Sequence, residues 1–392
     1  MMKFNYICTE CCQQFAISPE LMVCPNCSST QRSDEPVRGI LEVRLEGEAD
    51  KQFSVFDLLP VEKEYFPTIP VGNTPLWQPA NIRKKTNFAN LFIKDDGVNP
   101  TFSFKDRASF LVSAFAKKHR INEIVLASTG NAGSSMAGIG AAAAQNITIF
   151  LPETAPEAKI VQALQYGANV YKVKGTYDLA YDMSLEYSRI KGGMNRNTAY
   201  NPMTIEGKKT VSLEIFQQLD QIPDYVFVSA GDGCIVAGVI KGFRDLLTLG
   251  LSDKMPVVYA VQAETSDALY RAWDSGTFEN IPTHTVADSI CVDIPRNGYH
   301  ARKLLRDHNG SIIRVSDAAI LSAQHELASD GGLFSEPAGA TAYAGFLSEK
   351  NNLKNDAQVV VITTGNGLKD VASALKGVKA PDKSIKSIQE IL

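Results

Sequence analysis

Lys105 stands in "NPTFSFKDR", residues 99 to 107, where small and aromatic residues lead into a helix. A surface lysine needs no such frame. A protonated amine is a poor nucleophile, and it becomes useful when it is desolvated or joined to a carbonyl. The helix dipole also disfavours a cation at a helix start. Three more stretches bring groups with chemical use to the ends of strands. "ASTGNAGSS" (127–135) follows the strand "EIVLAS" and opens a helix with Ser128, Thr129, Gly130, Asn131 and Ala132. The free N–H groups at such a start can hold an anion, although the same residues also make an ordinary capped turn. "VSAGDGCIVAG" (228–238) is a second strand, turn and helix. There the amides of Gly231, Asp232, Gly233, Cys234 and Ile235 can cradle one phosphate. The stretch is not a Walker loop, because no Gly-Lys-Ser/Thr follows, and its glycine spacing is not that of a dinucleotide site. "VVVITTGNGLKD" (359–370) ends a buried strand in Thr363 and Thr364, at the strand end where ligands of parallel sheets bind.

A lysine amine, an asparagine, a cradle for one phosphate and a strand-end hydroxyl match pyridoxal 5′-phosphate (PLP) group for group. Lysine takes its aldehyde, asparagine its ring oxygen, the glycine turn its phosphate, and the hydroxyl its ring nitrogen. A hydroxyl does not hold a proton on that nitrogen as a carboxylate would. The ring is then a milder electron sink, which favours elimination and replacement at the β or γ carbon over transamination.

The elements around these groups alternate. Strands are predicted over "NLFIKDD", "EIVLAS", "ITIFLPE", "NVYKVKG", "YVFVSA", "VVYAVQAE" and "QVVVITTG". Helices are predicted over "FKDRASFLVSAFAKKH", "NAGSSMAGIGAAAAQN", "AKIVQALQYGA", "TYDLAYDMSLEYSRI" and "CIVAGVIKGFRDLL". β-Branched runs alternating with amphipathic helices predict an α/β fold of mainly parallel, helix-covered sheets. At 392 residues, two domains and an appendage are expected. The appendage is residues 1–32. "CTEC" and "CPNC" set Cys8 and Cys11 against Cys24 and Cys27, with Cys12 as a spare. Two such knuckles make a closed thiolate site for structural zinc, and the metal would supply much of the folding energy of so small a unit. Residues 33–70 read as an arm carrying the short strand "GILEVRLEG".

Net charge is −4, which excludes a strongly basic nucleic-acid or membrane surface. No stretch approaches the roughly 20 apolar residues of a membrane span. The N-terminus lacks the apolar core of a signal peptide, so the expectation is a cytoplasmic protein. Five histidines without paired spacing give no metal or triad signal.

"GNTPL" (72–76), "NPTFSFKDR", "STGN", "IEGKKT" (205–210), "FSEPAGA" (334–340) and "TTGNGLKD" occur in the order seen in the threonine synthase family. Over nearly its whole length the chain resembles that family, within the tryptophan-synthase-β-like (fold type II) PLP enzymes. The resemblance implies that Lys105 is the Schiff-base lysine, that Asn131 meets the ring oxygen, that Gly231 to Ile235 cradle the phosphate and that Thr364 faces the ring nitrogen. It implies a larger PLP-binding domain (33–110 and 205–392), a smaller closing domain (111–204) with the site between them, and a homodimer. It also implies formation of threonine from O-phosphohomoserine and water. Alternatives are cysteate formation from O-phosphoserine and sulfite, dehydration of threonine or serine, and a non-catalytic binding protein. Two positions depart from the pattern. Ala132 stands where a threonine is expected, and Thr204 stands where a basic residue is expected to help hold the substrate phosphate. Lys208, Lys209 or Arg296 (in the loop "DIPRNG", 293–298) are candidate replacements for that cation, and Glu336 is a candidate pocket residue.

Overall fold

The structure is a computed structural model. It describes residues 2–391 except 154, 156, 380, 382 and 383, with only the backbone at 157–159. The chain begins with a three-stranded antiparallel sheet of β1 (Lys3–Cys8), β2 (Gln14–Phe15) and β3 (Leu41–Glu46), in the order β2-β1-β3. The strand expected in the connecting arm therefore pairs with the cysteine segment: Lys3 faces Glu46 and Cys8 faces Leu41. Next, β4 (Leu76–Trp77) and β5 (Leu91–Asp95) open a second sheet. The chain then leaves it to build a four-stranded parallel sheet from β6 (Glu123–Ala127), β7 (Asn146–Pro152), β8 (Asn169–Val173) and β9 (Met194–Asn195), in the order β8-β7-β6-β9. It returns with β10 (Tyr225–Ser229), β11 (Val257–Ala263), β12 (Ser311–Val315) and β13 (Val359–Thr363). The completed six-stranded sheet has the order β12-β11-β10-β13-β5-β4. All its pairs are parallel except β4 with β5.

The central strands are buried on both faces, which is why they read as unbroken apolar runs. All five residues of "VVVIT" in β13 are buried. Helices cover the faces and meet at small residues. The helix Lys105–Lys118 packs on the short helix Met203–Lys208 at Gly207, where a Cβ would lie 2.9 Å from the Ala108 Cα and collide with the Arg107 carbonyl. This explains the glycine of "IEGKKT". Gly339 of "FSEPAGA" lies under the Thr364 turn, and a Cβ there would be 3.0 Å from the Thr364 N.

Buried charge links the layers. Arg107 bonds Glu214 Oε1 at 2.6 Å and Asp96 Oδ1 at 2.9 Å, and Lys94 Nζ donates to Glu214 Oε2 at 2.8 Å. Glu214 also accepts from Asn73 N at 2.8 Å, which fixes the "GNTPL" turn. On β3, buried Glu42 pairs with Arg244 of the helix Cys234–Thr248 and lies 2.9 Å from His300 Nε2. The N-terminal sheet is thus pinned to a helix of the six-stranded unit. Among the described residues, no helix is long and apolar enough to cross a membrane.

Candidate active site

The frame around Lys105 has a structural answer. Phe102 takes a left-handed backbone (φ 68°), which turns the chain sharply before the helix. The turn is stitched to the end of β13: Phe104 N donates to Thr364 O at 2.9 Å, and Asn366 N donates to Phe102 O at 3.1 Å. Asp106 folds back to accept from Thr101 N at 2.7 Å, and Arg107 anchors the helix in the charge network. Asp106 and Arg107 thus hold the backbone while Lys105 lines a cavity of about 510 Å³. Burial pushes the Lys105 amine below its usual range, opposed by the negative charge of Asp232. Lys105 forms no ion pair among the described residues.

Ser128, Thr129, Gly130, Asn131 and Ala132 line the same cavity at the end of β6. Ser128 Oγ accepts from Gly133 N at 2.9 Å and Gly130 N at 3.2 Å, so it caps the turn. The Asn131 amide donates to Glu336 at 2.9 Å and 3.1 Å, and its Oδ1 is buried with no partner. Glu336 is therefore a residue that orients Asn131.

At the end of β10, the N–H groups of Gly231, Asp232 and Gly233 make no hydrogen bond within the described residues, and the helix starting at Cys234 adds its open first turn. The two glycines make room for neighbouring protein elements. A Cβ on Gly231 would lie 2.8 Å from the Ile290 Cα, and one on Gly233 (φ +82°) 2.7 Å from the Ala301 Cβ. Both glycines admit protein, and the turn's donors stay free. Asp232 is the residue of this turn that lines the cavity, and its Oδ1 accepts from Arg296 N at 3.1 Å. At the end of β13, Thr363 Oγ1 donates to Lys94 O at 3.2 Å, and Thr364, buried just past the strand, is not among the residues that line the cavity.

The candidate anion contacts fare differently. Arg296 lines the cavity, but it is paired with Asp178 and stacked 4.9 Å from the Tyr181 ring. Lys209 is tied to Glu206 and to Asp245 at 2.8 Å, away from the cavity. Lys208 is buried behind the wall with its amine on Thr204 O at 3.0 Å, and burial holds it down at about 7. Sequence reasoning missed Arg196, which is 1% exposed and lines the cavity just after β9.

The residues fit PLP. A desolvated amine and the Asn131 amide with its orphaned oxygen line a cavity of suitable size, and the turn of unused N–H donors reaches it at Asp232. At the N-terminus, the Sγ atoms of Cys8, Cys11, Cys24 and Cys27 all lie within 4.8 Å of one another, with Cys8–Cys27 at 3.7 Å and Cys11–Cys24 at 3.8 Å. Tetrahedral bonds of about 2.3 Å would put sulfurs roughly 3.8 Å apart, so the cluster is compatible with zinc. Cys12 is exposed and turned aside at φ 62°.

An α/β fold with parallel sheets and a lysine-bearing cavity at strand ends defines a class of cofactor-dependent enzymes. Residues 68–365 match the family of pyridoxal-phosphate dependent enzymes, and the chain belongs to that family. It is 34% identical over 319 residues to threonine synthase of Methanocaldococcus jannaschii, covering 80% of this chain and 78% of that one. It is 31% identical over 411 residues to threonine synthase of Methanosarcina acetivorans, covering 99% and 98%. Among solved structures, threonine deaminase isoform 2 from Solanum lycopersicum superposes with TM-score 0.68 at 23% identity, over 85% of this chain and 87% of that one. Maize serine racemase superposes with TM-score 0.67 at 22% identity, over 76% and 88%. These two share the fold. The chain is a PLP-dependent lyase whose chemistry is elimination or replacement on an amino acid.

Proposed function

We propose that this enzyme forms threonine and phosphate from O-phosphohomoserine and water. The observation that carries the reading is Lys105, a desolvated amine without an ion pair, opening beside the turn 128–132. The choice of substrate is supported by the near full-length likeness to a threonine synthase. In this reading Lys105 takes the cofactor aldehyde, Asn131 meets the ring oxygen, the N–H groups of 231–235 hold the phosphate, and Thr364 faces the ring nitrogen. When bound, the cofactor supplies an electron sink for the substrate's α carbon. Released when the substrate's amine takes its place, Lys105 Nζ would remove the proton from that carbon, and burial, which disfavours its charged form, keeps more of the freed amine neutral and able to accept it. The N–H groups of Thr129, Asn131 and Ala132, which the turn itself leaves unused, orient the substrate carboxylate. The loop carrying Pro282, Thr283, Cys291, Val292 and Ile294 forms the opposite wall and limits water.

The partition expected from the sequence is part of the proposal. Residues 33–110 with 205–392 form the larger unit, and 111–204 closes over the substrate. Zinc at Cys8, Cys11, Cys24 and Cys27 is structural, because four protein ligands leave no open position. The enzyme acts as a homodimer on a small molecule.

A substrate panel tests the function. Purified enzyme is offered O-phosphohomoserine, O-phosphoserine with and without sulfite, threonine and serine. Phosphate, threonine, cysteate and keto acid are measured separately. Threonine and phosphate in equal amounts are expected from O-phosphohomoserine. Phosphate release confined to O-phosphoserine with sulfite would establish cysteate formation instead, and keto acid from threonine or serine alone would establish a dehydratase.

A further inference from the structure

Among the described residues, Arg196 is a buried guanidinium that forms no ion pair, although it feels the charge of Asp106. Its backbone is clamped to the core, with its N–H on Val125 O at 2.8 Å. Its side chain lines the cavity. Nη2 reaches Ser109 Oγ at a long 3.4 Å, and Nε is buried with no partner. Arg107 is just as buried but bonds two carboxylates. Arg296, on the same cavity, is already paired. Burying a cation without a paired counter-charge is strongly unfavourable. Burial accordingly lowers Arg196 to about 10, and Arg196 in turn depresses Lys105 and Lys208. A group held at that cost beside a cavity is arranged for an anion that arrives.

We propose that Arg196 binds the phosphoryl group carried on the substrate side chain. The inference rests on the phosphorylated-substrate reading and deepens it. Arg196 follows β9, which pairs in parallel with β6, and the 128–132 turn follows β6. Arg196 and the turn therefore sit side by side at the carboxyl ends of neighbouring strands, where ligands of such sheets bind. The phosphate cradle at 231–235 belongs to the other sheet. Thr204, where the family pattern expects the basic residue, is buried with its hydroxyl on Asn201 O at 2.8 Å. Arg196 would supply from β9 the charge missing there. As the C–O bond breaks, its electron pair leaves with the phosphate, and a fixed guanidinium fork stabilises that dianion.

The cofactor's own phosphate has the same chemistry, so the test separates the two sources. Arg196→Gln and Arg196→Lys holoenzymes are compared with wild type. The readouts are the dissociation constant for PLP, the binding of inorganic phosphate followed by the bound cofactor's absorbance, and kcat/KM for O-phosphohomoserine relative to serine. In Arg196→Gln that ratio is expected to fall on the order of 100-fold, mostly through KM, with Arg196→Lys recovering part of the loss. Phosphate binding is expected to weaken in parallel. A raised PLP dissociation constant with an unchanged selectivity ratio would assign Arg196 to the cofactor and overturn the proposal. Equal losses for both substrates would overturn it as well. If wild type turned over no phosphorylated substrate, the functional reading would fail, and Arg196-dependent phosphate binding would still decide the anion site by itself.

Discussion

At the scale of single residues, neighbours of opposite character do separate work. Asp106 and Arg107 are committed to Thr101, Asp96 and Glu214, which leaves the Lys105 amine as the uncommitted group of its turn. Lys105→Ala is expected to abolish turnover and the visible absorbance of the bound cofactor, read by spectroscopy, while the fold persists by circular dichroism. The charge network makes its own forecast. Burial alone would raise the Glu214 carboxyl, but Arg107 and Lys94 more than reverse this and bring it down to about 2. A carboxylate held below its unfolded value stabilises the fold fully above that unfolded value, about 4.5. The contribution is lost as pH falls through the folded value. Roughly 3 kcal/mol is at stake for a shift of this size. Urea midpoints of wild type should therefore fall between about pH 4.5 and about pH 2. In Glu214→Gln that slope should flatten; an equally steep slope would refute the assignment.

At the scale of elements, the turns place the chemistry and the strands place the turns. Gly233 sits at φ +82° with the Ala301 Cβ in the way of any side chain. Gly233→Ala should cost on the order of 1–3 kcal/mol in stability. It should also weaken PLP binding more than it weakens folding, by titration against denaturation. A variant with unchanged affinity would show that the turn is only a connection. Legibility in the sequence followed burial. β10, β11 and β13 were readable because buried parallel strands are unbroken apolar runs. β12, "SIIRV", was not, since its edge position leaves alternate residues half exposed. Lys105, Asn131 and the 231–235 turn stood out because each follows a strand or opens a helix. Arg196 did not. It follows a strand of two residues, and its lack of a carboxylate partner depends on which side chains fold around it, a fact with no local signature. Lys208 and Lys209 looked alike in sequence, but adjacent positions on a helix face different neighbours, and the structure sends their amines to Thr204 O and Asp245.

At the scale of the molecule, three sheets divide the groups: the six-stranded one leads into the 231–235 turn and Thr364, the four-stranded one into the 128–132 turn and Arg196, and the N-terminal one carries the four-cysteine cluster. Wild type is expected to carry one zinc per chain by atomic absorption. Cys24→Ser should lose it together with several degrees of melting temperature; retention of both would remove the metal from the proposal. The effect should not stay at the N-terminus. β3 is zipped to β1 along its length, and its Glu42 grips His300 and Arg244, the latter on the helix whose first turn is proposed to offer the phosphate donors. Oxidation of the thiol cage, chemically remote from the reaction, would thereby slacken the grip on the vitamin-derived coenzyme. An enzyme with no redox step would acquire a sensitivity to oxidants through its scaffold.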